Sequence, residues 1–148
     1  MLSNPSQHFN TQAGFTFIEI MIAIAVTAIL AAICLISYQT QMRQAQIMIV
    51  YQEINQFRMP YQISIDEGAR VTEFSPNSLS VPAKTKYCKF SVIAPNINDK
   101  TFNAVTCDIH DLSYLKNQSI NLDRAADGSW QCRPSAGIPK SYLPKACQ

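Results

Sequence analysis

Glu19 and the five cysteines are the residues in this chain whose types and spacing could do chemistry. Glu19 is followed by a stretch without any charged side chain that lasts until Arg43. An unpaired carboxylate at membrane depth costs several kcal/mol, so Glu19 needs a partner or a function. Its chemistry would be electrostatic.

The cysteines divide into two kinds. Cys34 lies inside the apolar run, where we expect the thiol to behave as a small hydrophobe. The other cysteines lie in the polar part of the chain, and their even number predicts two disulfides formed in an oxidising compartment: Cys88, Cys107, Cys132 and Cys147. They include no C-x-x-C pair, and the only histidine near them is His110, so we expect no metal site.

The histidines offer little for catalysis. His8 lies before the apolar run, and His110 stands alone at a predicted turn, where Asp108 and Asp111 flank it. Two acids and a histidine at a turn are common and are a weak indication of a catalytic site. We therefore expect no catalytic residues, no cofactor and no enzyme activity.

The element that must position Glu19 is an apolar helix. The run from Phe15 to Ile36 has 22 residues and could span a bilayer as a helix. An uncleaved signal anchor and a secretory signal peptide are the alternatives. The second is disfavoured because residues 1–14 contain no Lys or Arg and the apolar run is too long.

Helical periodicity continues after Tyr38 while the chain becomes polar. One apolar stripe follows at spacings of three and four: Ile47, Val50, Tyr51, Ile54, Phe57 and Tyr61. We expect this stripe to pack on the domain's own sheet rather than form a groove for a partner. Pro60 should kink or end the helix nearby, and Asp66-Glu67-Gly68 marks a stop, so the prediction is one long helix from about Phe15 to about Ser64.

The rest of the chain predicts a loop from Gly68 to Ala83 and then an antiparallel meander. The strands are expected at Tyr87–Ala94, Thr101–Ile109, Gln118–Leu122 and Ser129–Arg133. If residues 95–99 connect the first two strands and the hairpin is centred between Ile97 and Asn98, residues whose numbers sum to 195 face each other, and Cys88 lies opposite Cys107. That pairing leaves Cys132 with Cys147, although four cysteines allow three connectivities.

The segment Gly14-Phe15-Thr16-Phe17-Ile18-Glu19, directly before a long apolar helix, resembles the cleavage motif of type IV prepilins. The resemblance implies that prepilin peptidase cuts after Gly14 and that Phe15 becomes the N-methylated N-terminus. It also implies that Glu19 faces the free amine of a neighbouring subunit during assembly. Thr16 is interpreted as a tolerated small polar filler.

The resemblance to type IVa pilins implies an α+β pilin fold, with a long N-terminal helix packed on an antiparallel sheet of about four strands. It divides the chain into a leader (1–14), a transmembrane or filament-core half-helix (15–38), an amphipathic half-helix (39–64) and a globular head (65–148). The segment Gly128–Cys147 resembles the disulfide-bounded loop that ends these pilins. Ala28 and Ile36 stand where many members have glycine and proline, which favours a variant or minor subunit.

The function that follows from the resemblance is a structural subunit of type IV pili for adhesion, twitching motility or DNA uptake. Its expected partners are other pilin subunits, prepilin peptidase, the assembly machinery and the lipid of the inner membrane, where the N-terminus would be cytoplasmic and the head periplasmic. One alternative is a pseudopilin of type II secretion. Another is a DNA-binding minor pilin with a basic strip: Lys84, Lys86, Lys89, Arg133, Lys140 and Lys145.

Overall fold

The architecture, taken from a computed structural model that describes residues 14–96 and 98–148, is a long helix followed by an antiparallel sheet. The helices are α1 (Phe17–Asn55) and α2 (Arg58–Asp66), and the strands are β1 (Cys88–Val92), β2 (Thr101–Ile109), β3 (Ser119–Arg124) and β4 (Trp130–Pro134). The chain divides into two compact units, one that ends at Gln39 and one that comprises Thr40–Gln148. The predicted α+β class and four-stranded antiparallel sheet are confirmed.

The interruption between α1 and α2 lies one turn before Pro60. A proline has no N–H to donate to the carbonyl four residues earlier, here that of Gln56, and its ring crowds the same carbonyl. The helical pattern therefore breaks at Gln56 and Phe57 and restarts at Arg58, which leaves Pro60 in the first turn of α2, where it is tolerated. The predicted long helix is confirmed as a helical span from Phe17 to Asp66, and the kink expected near Pro60 is the break that divides this span into α1 and α2.

The predicted apolar stripe forms one side of the core. The side chains of Ile47, Val50, Ile54, Phe57 and Tyr61 are fully buried, and Tyr51 is partly buried against them. The ring of Phe57 lies 4.7 Å from that of Phe90 on β1, and the ring of Tyr61 lies 5.3 Å from that of Trp130 on β4. Each such side chain stabilises the fold by about 1.5–3 kcal/mol when it is fully buried. The stripe is thus core, as expected, and not a partner groove.

The sheet has the order β1-β2-β3-β4, a meander in which each strand pairs with the next along the chain. The predicted register of the first hairpin is wrong by two residues, because Cys88 lies opposite Ile109 and Phe90 lies opposite Cys107. The Ile93 N–H donates to the Ala104 carbonyl, so the hairpin is centred between Asn98 and Asp99, one residue later than predicted. A shift of two keeps every side chain on its face, since strands have a period of two.

The segment between α2 and β1, where a loop from Gly68 to Ala83 was predicted, is anchored to the core and to α1. It contains a 3-10 turn at Val71–Glu73, and it buries the side chains of Phe74 and Leu79 in the core. The ring of Phe74 lies 5.1 Å from that of Tyr61, edge to face. At its end, the hydroxyl of Thr85 donates to the Glu53 carboxylate at 2.7 Å, which joins the start of the sheet region to α1.

Candidate functional site

The predicted cleavage site lies just before α1. Gly14 and Phe15 precede the helix, and Thr16 is its N-cap: the Glu19 N–H donates to Thr16 Oγ1 at 3.4 Å, and the Thr16 N–H donates to Glu19 Oε2 at 3.4 Å. This reciprocal pair is a capping box, which satisfies two backbone donors that a helix start leaves open. Interpreting Thr16 as a filler missed this role. Thr-x-x-Glu directly before an apolar run is the signal that could have revealed it. Residues 1–13 of the predicted leader lie outside the described residues.

Most of the apolar surface of α1 is uncovered up to Tyr38. The large apolar side chains of α1 up to Tyr38, and Phe15 just before the helix, expose between 48% and 82% of their surface, and the Cys34 thiol is exposed among them. Among the described residues this is the one helix long and apolar enough to cross a bilayer. So large an apolar surface marks a site of contact with a membrane or with other proteins. No charged group other than Glu19 lies on it.

The structure contains two disulfides, Cys88–Cys107 and Cys132–Cys147. Cys88 and Cys107 are diagonal neighbours on β1 and β2, with their Cα atoms 5.2 Å apart, rather than the directly opposed pair that the predicted register required. The second bond joins β4 to the last turn of the chain and encloses a loop that buries Ile138 and Leu143. The C-terminal loop is therefore tied to the sheet by a covalent bond and by apolar packing.

The six basic side chains of the predicted DNA strip fall into two groups at opposite edges of the sheet. The backbone of Lys84 forms an isolated β-bridge with that of Lys89 on β1. The Lys86 ammonium lies 5.0 Å from the ring centre of Tyr87. Arg133 is on β4, and Lys140 and Lys145 are in the turns that follow it. Strands β2 and β3 separate the two groups, and three strand spacings are about 14 Å. The structure does not bring these residues into one strip.

Arg133 has a different partner, which the sequence interpretation missed. Its Nε and Nη2 donate to the two carboxylate oxygens of Asp123 at 3.0 and 3.1 Å, and the Asp123 side chain is only 2% exposed. Lys100 Nζ lies 3.7 Å from the same carboxylate. Burial alone would raise the pKa of Asp123, but the hydrogen bond from Arg133, the Asn103 N–H and the charges of Arg133 and Lys100 together lower it. Asp123 is therefore a buried carboxylate that stays charged.

Asp123 also holds an irregularity in β2. The pairing of β2 with β3 shifts between Thr101 and Val105, and Asn103 within this bulge has a φ of 53°. Asn tolerates this left-handed conformation better than most residues. The Asn103 N–H, which the bulge turns away from the strand ladder, donates to Asp123 Oδ1 at 2.8 Å. The Asp123 carboxylate thus accepts from the backbone N–H in the bulge of β2 and also forms an ion pair with Arg133 on β4.

The His110 region shows no catalytic arrangement in the described part of the chain. The backbone N–H of His110 donates to the Tyr87 carbonyl at 2.9 Å, while the imidazole Nδ1 is enclosed and has no hydrogen-bond partner among the described residues. Neither Asp108 nor Asp111 forms a hydrogen bond or ion pair with the imidazole among the described residues, and Asp111 has a φ of 63° that suits a turn. Within residues 14–96 and 98–148, no cluster of three His, Cys, Asp or Glu side chains could hold a metal ion.

Comparison with protein families gives two matches. Residues 44–148 match the family described as pilin (bacterial filament), and residues 9–35 match the prokaryotic N-terminal methylation motif. The first match covers the amphipathic end of α1 and the whole sheet region. The second covers the capping box and most of the exposed apolar helix.

Individual relatives agree with these matches. The chain is 37% identical to a type IV major fimbrial protein FimA of Dichelobacter nodosus, over 93% of this chain and 95% of that protein. It is 29% identical to a fimbrial protein of Pseudomonas aeruginosa and 24% identical to a probable minor fimbrial protein of Dichelobacter nodosus, each over more than 90% of both chains. Because the family match covers most of the chain and a relative exceeds 30% identity, the chain belongs to the pilin family of bacterial filament proteins.

Proposed function

We propose that this chain is the precursor of a structural subunit of a type IV pilus, held in the inner membrane by the apolar part of α1 and then transferred into a filament. The observation that carries the proposal is an exposed apolar helix that begins with the capping box of Thr16 and Glu19 directly after Gly14-Phe15. Lipid before assembly and neighbouring helices after assembly would each cover this surface. The fimbrial relatives, which include major and minor fimbrial proteins, support a role in a filament rather than in catalysis.

Processing by prepilin peptidase is part of the proposal. Cleavage after Gly14 would create a free amine at Phe15, the residue that would be N-methylated. Residues 1–14 would be the leader, with the N-terminus cytoplasmic and the head periplasmic. The head begins within the unit that starts at Thr40, whose disulfides suit an oxidising compartment.

Glu19 would have two successive partners. In the structure its carboxylate accepts from the Thr16 N–H at 3.4 Å and lies 3.5 Å from Thr16 Oγ1, both long for hydrogen bonds to a charged acceptor. These weak contacts leave the carboxylate able to pair with the amine of a neighbouring subunit's N-terminus. A buried ion pair of that kind sets register rather than adding much stability, so Glu19 would align subunits along the filament.

The test of processing is Gly14→Ser in cells that contain the peptidase. We expect an uncleaved precursor that is longer by the leader, seen as slower migration on a gel and as an intact N-terminus by mass spectrometry. Ala13→Ser adds the same hydroxyl one residue earlier and should leave cleavage unchanged. Complete processing of Gly14→Ser would count against the prepilin assignment.

DNA binding by the head stays a prediction. Since the basic residues form two groups, each can be tested separately, with Lys84, Lys86 and Lys89 changed to Gln in one variant and Lys140 and Lys145 in another. If either group is a DNA site, binding should fall steeply with salt and only the corresponding variant should lose it. No measurable binding at low salt would remove this role.

A further inference from the structure

Arg43 lies in a cage of two tyrosine rings. Its Nη1 donates to the Tyr142 hydroxyl at 3.0 Å, and its guanidinium carbon lies 5.0 Å from the ring centre of Tyr114 and 6.0 Å from that of Tyr142. The two rings meet edge to face at 6.2 Å. Gln46 accepts from the Tyr114 hydroxyl at 2.7 Å, which fixes the cage to α1. The guanidinium is therefore held in place by two separate loops.

The charge of Arg43 has no acidic partner in the described part of the chain. The described ion pairs both belong to Asp123, and Arg43 Nε and Nη2 make no hydrogen bond to any residue that the structure describes. These nitrogens are not among the enclosed polar atoms that lack a partner, so they reach the surface. A rigid, planar guanidinium with free N–H groups is suited to bidentate binding of a phosphate.

The surroundings of the cage favour an anion with an apolar body. A shallow cavity of about 320 Å³ adjoins it, lined in part by Gln44, Met48, Tyr142 and Lys145. Lys140 lies in the same short turn as Tyr142, and Lys116 follows the turn that carries Tyr114. Against these cations, Asp111 is the acid in the same loop as Tyr114. Tyrosines together with lysine and arginine side chains are typical of proteins at a membrane interface.

The place of Arg43 along α1 matches that interface. It lies five residues after Tyr38, which is about 7.5 Å of helix. A bilayer has about 30 Å of hydrocarbon and about 40–45 Å in total, so each headgroup layer is roughly 5–8 Å thick. If the apolar part of α1 spans the hydrocarbon, Arg43 reaches the phosphate layer.

We propose that Arg43, caged by Tyr114 and Tyr142, binds the headgroup phosphate of an anionic phospholipid while the precursor is in the membrane. This inference rests on the proposed membrane-held precursor. The bound headgroup would order the two loops that carry the tyrosines, and leaving the lipid would free the guanidinium during transfer into the filament.

The test uses the full-length precursor in nanodiscs of phosphatidylcholine, with and without added phosphatidylglycerol, and follows hydrogen exchange in residues 112–116 and 139–146. One basic group near an anionic surface contributes about a fivefold change in binding, so we expect exchange about fivefold slower with phosphatidylglycerol. Arg43→Gln should abolish this difference. Lys89→Gln makes the same charge change at β1 and should retain it.

The outcomes separate this inference from the proposed function. Failure of the chain to copurify with nanodiscs would overturn both, whereas insertion without lipid-dependent protection would overturn only the headgroup site. Equal protection from inorganic phosphate added to maltoside micelles would show a free-anion site and refute the lipid assignment. Unchanged hydrogen exchange at residues 120–122 verifies that Arg43→Gln is folded. Arg43→Lys keeps the charge without the planar guanidinium, so its exchange should differ between the two nanodisc types by an intermediate amount.

Discussion

Replacing Asp123 by Asn tests whether the head depends on one buried carboxylate. The substitution keeps the shape of the side chain and removes its charge. It preserves an oxygen that can accept from the Asn103 N–H, but its amide group would face the donors of Arg133. The bulge of β2 and the pairing with β4 should therefore both weaken.

The size of the effect follows from the geometry. Hydrogen bonds to charged groups contribute about 1.5–3 kcal/mol each, but the Arg133 side chain is 49% exposed and can return to water when its partner is lost. We therefore expect Asp123→Asn to lower the free energy of unfolding by about 2 kcal/mol. Arg133→Ala leaves the carboxylate buried with Lys100 at 3.7 Å and should cost about 3 kcal/mol, the lower end for breaking a buried pair.

The assay is urea unfolding of the full chain in detergent, followed by the fluorescence of Trp130. This is the only tryptophan in the sequence, and it lies on β4 beside the perturbed pair. The double variant should cost less than the sum of the single variants, by about 1–2 kcal/mol, because both remove the same interaction. Additive costs, or an unchanged midpoint for Asp123→Asn, would refute the reasoning.

The pH dependence gives a second readout of the same pair. The pKa of Asp123 is lower in the folded chain than in the unfolded chain, so the unfolded chain binds more protons as the pH falls. The stabilisation is complete above the unfolded pKa of about 3.9 and is lost as the pH falls through the folded pKa. Asp123→Asn should flatten this acidic part of the stability curve.

Three further changes have defined outcomes. Tyr61→Phe removes the hydroxyl that donates to the Ile93 carbonyl at 2.8 Å and should cost about 1 kcal/mol in urea unfolding; a loss below the error of that measurement would contradict this. Because burial raises the pKa of Tyr61 to about 12, against a lowering by the Arg124 charge, wild-type stability should also decline as the pH rises from about 10 to 12. The decline should be smaller in the variant, where the raised pKa of Tyr114 still contributes to it. Cys147→Ser opens a disulfide-closed loop spanning 15 residues and should lower the free energy of unfolding by about 3 kcal/mol. Cys34→Ser, at an exposed position of α1, should leave the stability of the head unchanged, and equal effects of the two changes would argue against stabilisation by the disulfide. Glu19→Ala should permit cleavage and impair assembly, measured as filaments sheared from cells, and normal filament yield would remove its proposed role.

Local patterns in the sequence predicted the elements and the faces they bury. Apolar residues at spacings of three and four from Ile47 to Tyr61 form the buried side of the helix, and the missing N–H of Pro60 breaks it one turn earlier. The capping box was also readable, since it needs only Thr16 and Glu19 three residues apart. Helix caps, helical periodicity and strand alternation are set by neighbours along the chain, so they are visible without the fold.

The sequence by itself also determined that Cys88 and Cys107 share a face of the sheet, because a register error of two residues preserves the alternation of side chains. Only the tertiary structure decided the register of β1 with β2, which depends on where the chain reverses between these strands. It also separated the basic residues to opposite edges of the sheet, gave Arg133 to Asp123, and brought Tyr114 and Tyr142 around Arg43 from loops 71 and 99 residues away. Such contacts join segments that are distant in sequence, and their energies depend on the packing of the whole domain rather than on any local pattern.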